Sequence, residues 1–129
     1  MFGEVFGERE MYTGHPPDEA YCRELLARPG VILLAAVADE RVVGGLAGYR
    51  LEKFEQARSE IFIYDLAVAA DMRRRGIATS LIEAVREIAR ECGCWMIFIQ
   101  GEEGDAPALA LYRKLAVSEE IAHHFDIAP

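Results

Sequence analysis

The segment from Glu60 to Ala89 constrains the fold more than any other part of the chain. It begins with an apolar run rich in β-branched and aromatic residues, Glu60 to Val68, which is typical of a buried strand. It ends with apolar residues spaced three and four apart, which predict an amphipathic helix from about Ile77. A short basic turn, Arg73 to Gly76, joins the two. The sequence therefore predicts a strand, a tight loop and a helix N-terminus in succession.

The basic turn has the composition of an anion-binding site. The first turn of a helix carries about four unpaired backbone N–H groups and the positive end of the helix dipole. Gly76 has no Cβ, so an anionic group can approach its backbone closely, and the adjacent arginines add positive charge. A bound pyrophosphate would account for the unpaired N–H groups, the glycine and the arginines together. A solvated basic turn explains the sequence equally well, because short glycine loops are common.

Apolar and polar patterns predict the remaining elements. Asp18 is suited to cap a helix that ends near Ala27, and Asp105 to cap one that ends near Leu115. We also predict that residues 2–12 form the tail of a helix. Strands are predicted at 31–38, 42–51, 94–100 and 118–127, with a polar loop at 53–59. Glycines at 44, 45 and 48 indicate a bulge or a close neighbour in the second strand.

Around the basic turn, the sequence resembles a known family. The spacing Arg73-x-x-Gly76-x-Ala78 between a strand and a helix is similar to the acetyl-CoA motif of the GNAT N-acetyltransferase superfamily. Longer stretches resemble the aminoglycoside 3-N-acetyltransferases of that superfamily and are distributed over nearly the whole chain. They are residues 53–61, 63–68, 75–79, 104–115 and 125–127.

The resemblance implies a GNAT fold, which is an α/β (α+β) architecture with a mixed, mostly antiparallel sheet flanked by helices. Two neighbouring parallel strands, about 60–68 and 94–100, would splay apart and admit the cofactor between them. Met1 corresponds to a position inside the first helix of such proteins. We therefore expect a single domain over residues 1–129 that is short at its N-terminus. Either the true start lies upstream, or the chain lacks the first strand, which would expose one sheet edge.

The resemblance also implies how acetyl-CoA is held. Main-chain groups of Leu66, Ala67 and Val68 would pair with the pantetheine arm as an added strand does. The turn and the first helical residues would hold the pyrophosphate, through Arg73, Arg74, Arg75, Gly76, Ile77, Ala78 and Thr79. Tyr112 matches the residue near the sulfur, where a phenol can protonate the leaving thiolate. Its local pattern alone fits a core aromatic on an amphipathic helix.

An aminoglycoside carries several ammonium groups, so its site needs carboxylates. We expect Asp65 and Asp105 to bind the amine, with one of them, Asp65 in the first place, acting as the base directly or through a water. Asp65 lies within an apolar strand, where an unpaired carboxylate is costly. Asp105 can also serve simply as a helix cap. Asp126 and Tyr64 are further candidates for acceptor binding.

Two departures from the relatives bear on these expectations. Ala116 stands where the relatives commonly have glycine, which would cost about 1 kcal/mol if that backbone needs a positive φ. The pair His123-His124 carries one residue more than the relatives. A single insertion exchanges the two faces of a strand unless a bulge absorbs it, so the position of Asp126 depends on this pair.

Composition limits the partners. A net charge of −8 disfavours nucleic acid and weakly favours a cationic substrate. The three cysteines lack metal-ligand spacing, so we predict no metal and reduced thiols in the cytoplasm. No apolar run is long enough to cross a membrane, and the N-terminus lacks a signal-peptide pattern. An open sheet edge favours a homodimer.

Three functions remain open at this point. The first is acetyl-CoA-dependent acetylation of the 3-amino group on the 2-deoxystreptamine ring of an aminoglycoside antibiotic, which would confer resistance. The second is the same chemistry on another amine, such as a polyamine, a protein lysine or a protein N-terminus. The third is a domain that binds acyl-CoA, or a partner chain, without turnover.

Overall fold

A computed structural model describes residues 1–129 as a four-stranded mixed sheet flanked by helices. No helix combines the length and the apolarity that crossing a membrane requires. The elements in chain order are α1 (Phe2–Val5), α2 (Arg9–Thr13), α3 (Glu19–Leu26), β1 (Val31–Ala38), β2 (Arg41–Lys53), β3 (Arg58–Val68), a 3₁₀ turn (Ala70–Met72), α4 (Ile77–Glu91), β4 (Met96–Ile99) and α5 (Ala106–Leu115).

The sheet has the order β1-β2-β3-β4, with two antiparallel pairs followed by one parallel pair. Asp39 and Glu40 turn the first hairpin with φ values of 49° and 60°, as a two-residue hairpin loop requires. The second hairpin is longer than predicted. Its strands pair as far as Lys53 and Arg58, so only residues 54–57 form the turn where the sequence predicted a loop over 53–59.

The core lies between α4 and one face of the sheet. Helix α4 buries Leu81, Ile82, Val85 and Ala89, which are the apolar positions that the helical periodicity identifies. The sheet contributes buried side chains from β1, β2 and β3 to the same cluster. They are Ile32, Leu46, Ile61 and Ile63.

Strands β3 and β4 are parallel, as the GNAT resemblance implies, and they pair over only part of β3. Four positions are paired, from Glu60 opposite Met96 to Ile63 opposite Ile99. Strand β4 then ends, while β3 continues to Val68 with no strand on that side. The observed β4 is shorter than the predicted strand over 94–100. Beyond Ile63, one edge of β3 therefore has no strand partner, and this edge is the starting point for the candidate site.

The N-terminal residues form two short helices rather than one helix tail, because Gly7 interrupts them with a φ of 72°. The strand order places β1 at one edge of the sheet.

The predicted strand over 118–127 is wrong, since residues after Leu115 have no regular structure. Apolar Ile121, Phe125 and Ile127 alternate as in a strand but are 79% to 96% exposed. A strand needs a paired backbone as well as an alternating pattern, and this segment has none. Ala116 has a φ of −76°, so no glycine is required there.

Candidate active site

The turn before α4 has the local structure of an anion-binding loop. Gly76 takes a left-handed conformation, with φ at 81°, and Ile77 begins the helix directly after it. No side chain caps this helix, so the N–H groups of its first turn remain available to a ligand. A Cβ built on Gly76 would meet open space, so the glycine is required by its backbone conformation rather than by crowding.

The three arginines of the turn are exposed and differ in their contacts. Arg73 donates from Nε to the carbonyl oxygen of Val68 at 3.3 Å, which ties the turn to the end of β3. Arg74 and Arg75 form no ion pair in the structure. Arg74 also has a positive φ, at 61°. The turn therefore presents unpaired guanidinium groups beside an uncapped helix end.

The last residues of β3 have one edge without a strand partner. Leu66, Ala67 and Val68 pair with β2 on one side, opposite Leu46, Gly45 and Gly44. On the other side no strand is paired with them. An extended strand in this situation presents backbone N–H and C=O groups to a ligand.

A bulge in β3 determines which way Asp65 faces. Opposite Ala47 and Gly48 of β2, strand β3 has one extra residue, Tyr64. Without it, Asp65 would share the face of Ile61 and Ile63 and would point into the apolar core. With the bulge, Asp65 pairs with Ala47 and lies on the opposite sheet face. The bulge thus resolves the conflict that the sequence raised about a carboxylate in an apolar strand.

Asp65 contacts the N-terminal helices on that face. The hydroxyl of Tyr12, in α2, donates to Asp65 Oδ1 at 3.4 Å. Burial raises the pKa of Asp65, the hydrogen bond from Tyr12 opposes the rise, and the charge of Glu8 adds to it. Burial, together with Asp65, also raises the pKa of Tyr12. Sequence reasoning missed Tyr12; the only signal was the clustering of aromatics at positions 2, 6 and 12.

Tyr112 lies in α5 and is half buried against the core cluster. Burial raises its pKa, and the charge of Asp105 raises it further, so the phenol remains protonated at neutral pH. Gly101 lets α5 approach the end of β4, because a Cβ there would lie 3.3 Å from ring carbons of Tyr112. No hydrogen bond joins Tyr112 to Asp65.

The two other predicted carboxylates have different positions. Asp105 caps α5, accepting from the Ala108 N–H at 3.1 Å, which confirms the capping interpretation. Its exposed side chain remains close enough to Tyr112 to influence it. Asp126 lies in the irregular C-terminal segment and contacts only His124, at 3.0 Å. The structure does not bring Asp126 into the sheet, because the strand expected to carry it does not form.

Tyr64, the bulge residue, is 66% exposed and lies beside Asp65. Its ring meets Tyr49 and Phe62 edge-on, at centroid distances of 6.1 and 5.5 Å. An exposed aromatic surface therefore borders the carboxylate. No group of three or more His, Cys, Asp and Glu side chains is arranged to hold a metal ion.

Known proteins similar to this chain include solved structures of aminoglycoside acetyltransferases. One, from an uncultured soil metagenomic sample, is 54% identical with a TM-score of 0.94 and covers 99% of this chain and 85% of its own. Another, also from an uncultured soil metagenomic sample and crystallised with sisomicin, is 32% identical with a TM-score of 0.88. That match covers 99% of this chain and 83% of the other.

Among curated proteins, the mycothiol acetyltransferase of Clavibacter michiganensis subsp. michiganensis is 35% identical over 88 residues, which are 68% of this chain. The matched part is 27% of that enzyme, so the chain spans about a quarter of the relative's length. The model of the acetyltransferase (GNAT) family matches residues 3–116. This match, which agrees with the mixed sheet and the glycine turn before α4, shows that the chain belongs to the GNAT family of acetyltransferases.

Proposed function

We propose that this protein transfers an acetyl group from acetyl-CoA to an amine of an aminoglycoside, at the 3-amino group of the 2-deoxystreptamine ring. The observation that carries the proposal is the 54% identity, over 99% of the chain, to an aminoglycoside acetyltransferase. The complex of a second relative with sisomicin supports the same acceptor class. The position of the acetylated amine rests on the sequence resemblance to 3-N-acetyltransferases. The modified drug would lose activity, which would confer resistance.

Residues on the turn and on β3 are suited to bind acetyl-CoA. The uncapped amides of Gly76, Ile77, Ala78 and Thr79 and the guanidinium groups of Arg73, Arg74 and Arg75 would hold the pyrophosphate. The open edge of Leu66, Ala67 and Val68 would pair with the pantetheine arm. A backbone N–H of this edge would also polarise the thioester carbonyl.

Acetyl transfer then requires one proton acceptor and one proton donor. Asp65 would remove a proton from the acceptor ammonium, and the neutral amine would attack the thioester carbon. As the N–C bond forms and the C–S bond breaks, the phenol of Tyr112 would donate its proton to the leaving sulfur. The attacking nitrogen would lose a second proton as the amide forms, and transfer of this proton to the Tyr112 phenolate would restore Tyr112. The elevated pKa values of Asp65 and Tyr112 match these roles.

Acceptor binding would rely on negative charge and aromatic surface. Asp65 and Asp105 would contact ammonium groups, and Tyr64 would cover an apolar face of the sugar rings. Asp126 would join them if the C-terminal segment folds over the bound acceptor.

Two variants separate cofactor binding from transfer. Arg75→Glu should weaken acetyl-CoA binding by more than about tenfold, because it places a negative charge beside the pyrophosphate. Asp65→Asn should leave binding unchanged and reduce transfer by at least about 100-fold, as expected for loss of a general base. Calorimetry with acetyl-CoA and thiol release with sisomicin measure the two effects.

Arg28→Glu is the matched control for charge, since Arg28 is exposed, forms no ion pair and lies in the connection after α3. It should change neither quantity. Full turnover by Asp65→Asn on every accepted amine would show that the base is assigned wrongly.

A further inference from the structure

We infer that Tyr12 is a positioning residue that orients the Asp65 carboxylate toward the acceptor amine. This inference rests on the proposed function, in which Asp65 accepts the amine's proton. It gives the N-terminal helices α1 and α2 a role in the reaction, although neither helix contributes a residue to the proposed cofactor site.

The contact between Tyr12 and Asp65 links two distant parts of the chain. The residues are 53 positions apart, and the Tyr12 hydroxyl reaches Asp65 Oδ1 at 3.4 Å. This distance exceeds the usual 2.7–2.8 Å, but catalytic hydrogen bonds are often long before the substrate binds. The bulge at Tyr64 turns Asp65 toward α2. The contact therefore depends both on the bulge and on the position of α2 over this face of the sheet.

The ring of Tyr12 is held in place by packing. Phe2 stacks on it with a centroid distance of 6.0 Å and an interplanar angle of 16°, and Phe6 lies at 6.0 Å. Buried Gly3 lets α1 approach α2, because a Cβ there would lie 3.1 Å from Tyr12 Cβ. Phe2 in turn packs over Gly45 of β2. The phenol is therefore fixed relative to the sheet that carries Asp65.

The charges around this contact keep the Tyr12 hydroxyl protonated, so that it can donate to Asp65. Glu8, just before α2, acts on both Asp65 and Tyr12, and Tyr64 acts on Tyr12 from β3. Glu4 of α1 and Arg9 of α2 line the groove beside the Tyr12 ring. Burial and Glu8 both disfavour the ionised form of Asp65, and the Tyr12 hydroxyl is the side-chain donor that supports it.

Replacing Tyr12 with phenylalanine keeps the ring in its aromatic cluster and removes only the hydroxyl. The carboxylate then loses its donor, so Asp65 stays protonated to a higher pH. The acid limb of the pH profile of kcat/KM for sisomicin should move to higher pH. At pH 6, kcat/KM should fall by about three- to tenfold, while acetyl-CoA affinity stays unchanged.

Tyr21→Phe is the control, because it removes the same hydroxyl from an exposed position on α3. Its profile should superimpose on that of the wild type. The amine's own titration is common to all three enzymes and cancels in the comparison.

Titration of the ¹³C-labelled Asp65 carboxyl by NMR tests the contact without turnover. In Tyr12→Phe the Asp65 pKa should be higher than in the wild type, and in Tyr21→Phe it should be equal. An unchanged titration, or an unchanged acid limb in an active enzyme, would overturn the inference. A wild type that transfers no acetyl group would overturn the proposed function, while the titration would still decide on the contact.

Discussion

At the scale of single residues, Asp65 has a structural cost that its proposed role as a base would explain. Its carboxylate is half buried on the sheet face opposite the core, beside Glu8 and under Tyr12. A strand side chain selected for stability alone would not be ionised in this position. Residues that trade stability for function are characteristic of active sites.

This trade predicts a pH-dependent gain in stability for Asp65→Asn. Because the folded pKa of Asp65 is raised above 3.8, the unfolded chain ionises first and stability is lost as the pH rises from there through the folded pKa. Asp65→Asn should therefore be more stable than the wild type at pH 7 and equal to it at pH 3. Urea unfolding at both values measures the difference; equal stabilities at pH 7 would contradict it.

Replacing Gly76 tests the role of the turn before α4, and Gly93 provides a matched control in the same chain. Gly76 and Gly93 both have positive φ values, at 81° and 67°, and a Cβ would meet open space at each. Alanine at either position should cost about 1 kcal/mol of unfolding free energy. Only Gly76→Ala should also weaken acetyl-CoA binding, as calorimetry would show. Equal acetyl-CoA binding by the two variants would show that the turn is not part of the cofactor site.

At the scale of elements, two adjacent glycines in β2 set the distance of the helices from both sheet faces. A Cβ on Gly44 would lie 2.8 Å from the Ile77 side chain, at the start of α4. A Cβ on Gly45 would lie 2.7 Å from the Phe2 ring, in α1. The prediction that Gly44 and Gly45 mark close neighbours is confirmed, and the two neighbours lie on opposite faces of the sheet.

Valine at these two positions should therefore separate cofactor effects from acceptor effects. Gly44→Val pushes the start of α4 away and should weaken acetyl-CoA binding by about tenfold. Gly45→Val displaces α1 and should lower kcat/KM for the acceptor by a similar factor, with acetyl-CoA binding within about twofold. Two variants with the same defect would contradict the division of the site between the faces.

The sequence predicts correctly those elements whose signals lie within a few neighbouring residues. The periodicity of α4, the hairpin of β1 and β2 and the cap at Asp105 all have their signals within a few residues. The bulge at Tyr64 could not be predicted, because it arises from pairing with a strand 16 residues earlier. The Tyr12 contact, across 53 residues, has the same origin. The strand over 118–127 failed for the converse reason, since a good local pattern has no backbone partner.

At the scale of the whole molecule, the net charge is consistent with the proposed cationic acceptor. The net charge is −8, while Arg73, Arg74 and Arg75 concentrate positive charge at the turn before α4. The protein thus combines a local cluster of positive charge with a net negative charge overall. The homodimer and the cytoplasmic location stay predictions; sedimentation and fractionation would test them. Strands β1 and β4 form the two edges of the sheet.

The most direct test of the account is thiol release from acetyl-CoA against a panel of amines, with NMR of the product. We predict thiol release with sisomicin and gentamicin, an acetyl group on the 3-amino nitrogen, and no release with spermidine or peptides. Release with spermidine or peptides but not with aminoglycosides would contradict it. Acetyl-CoA binding without release on any amine would contradict it as well.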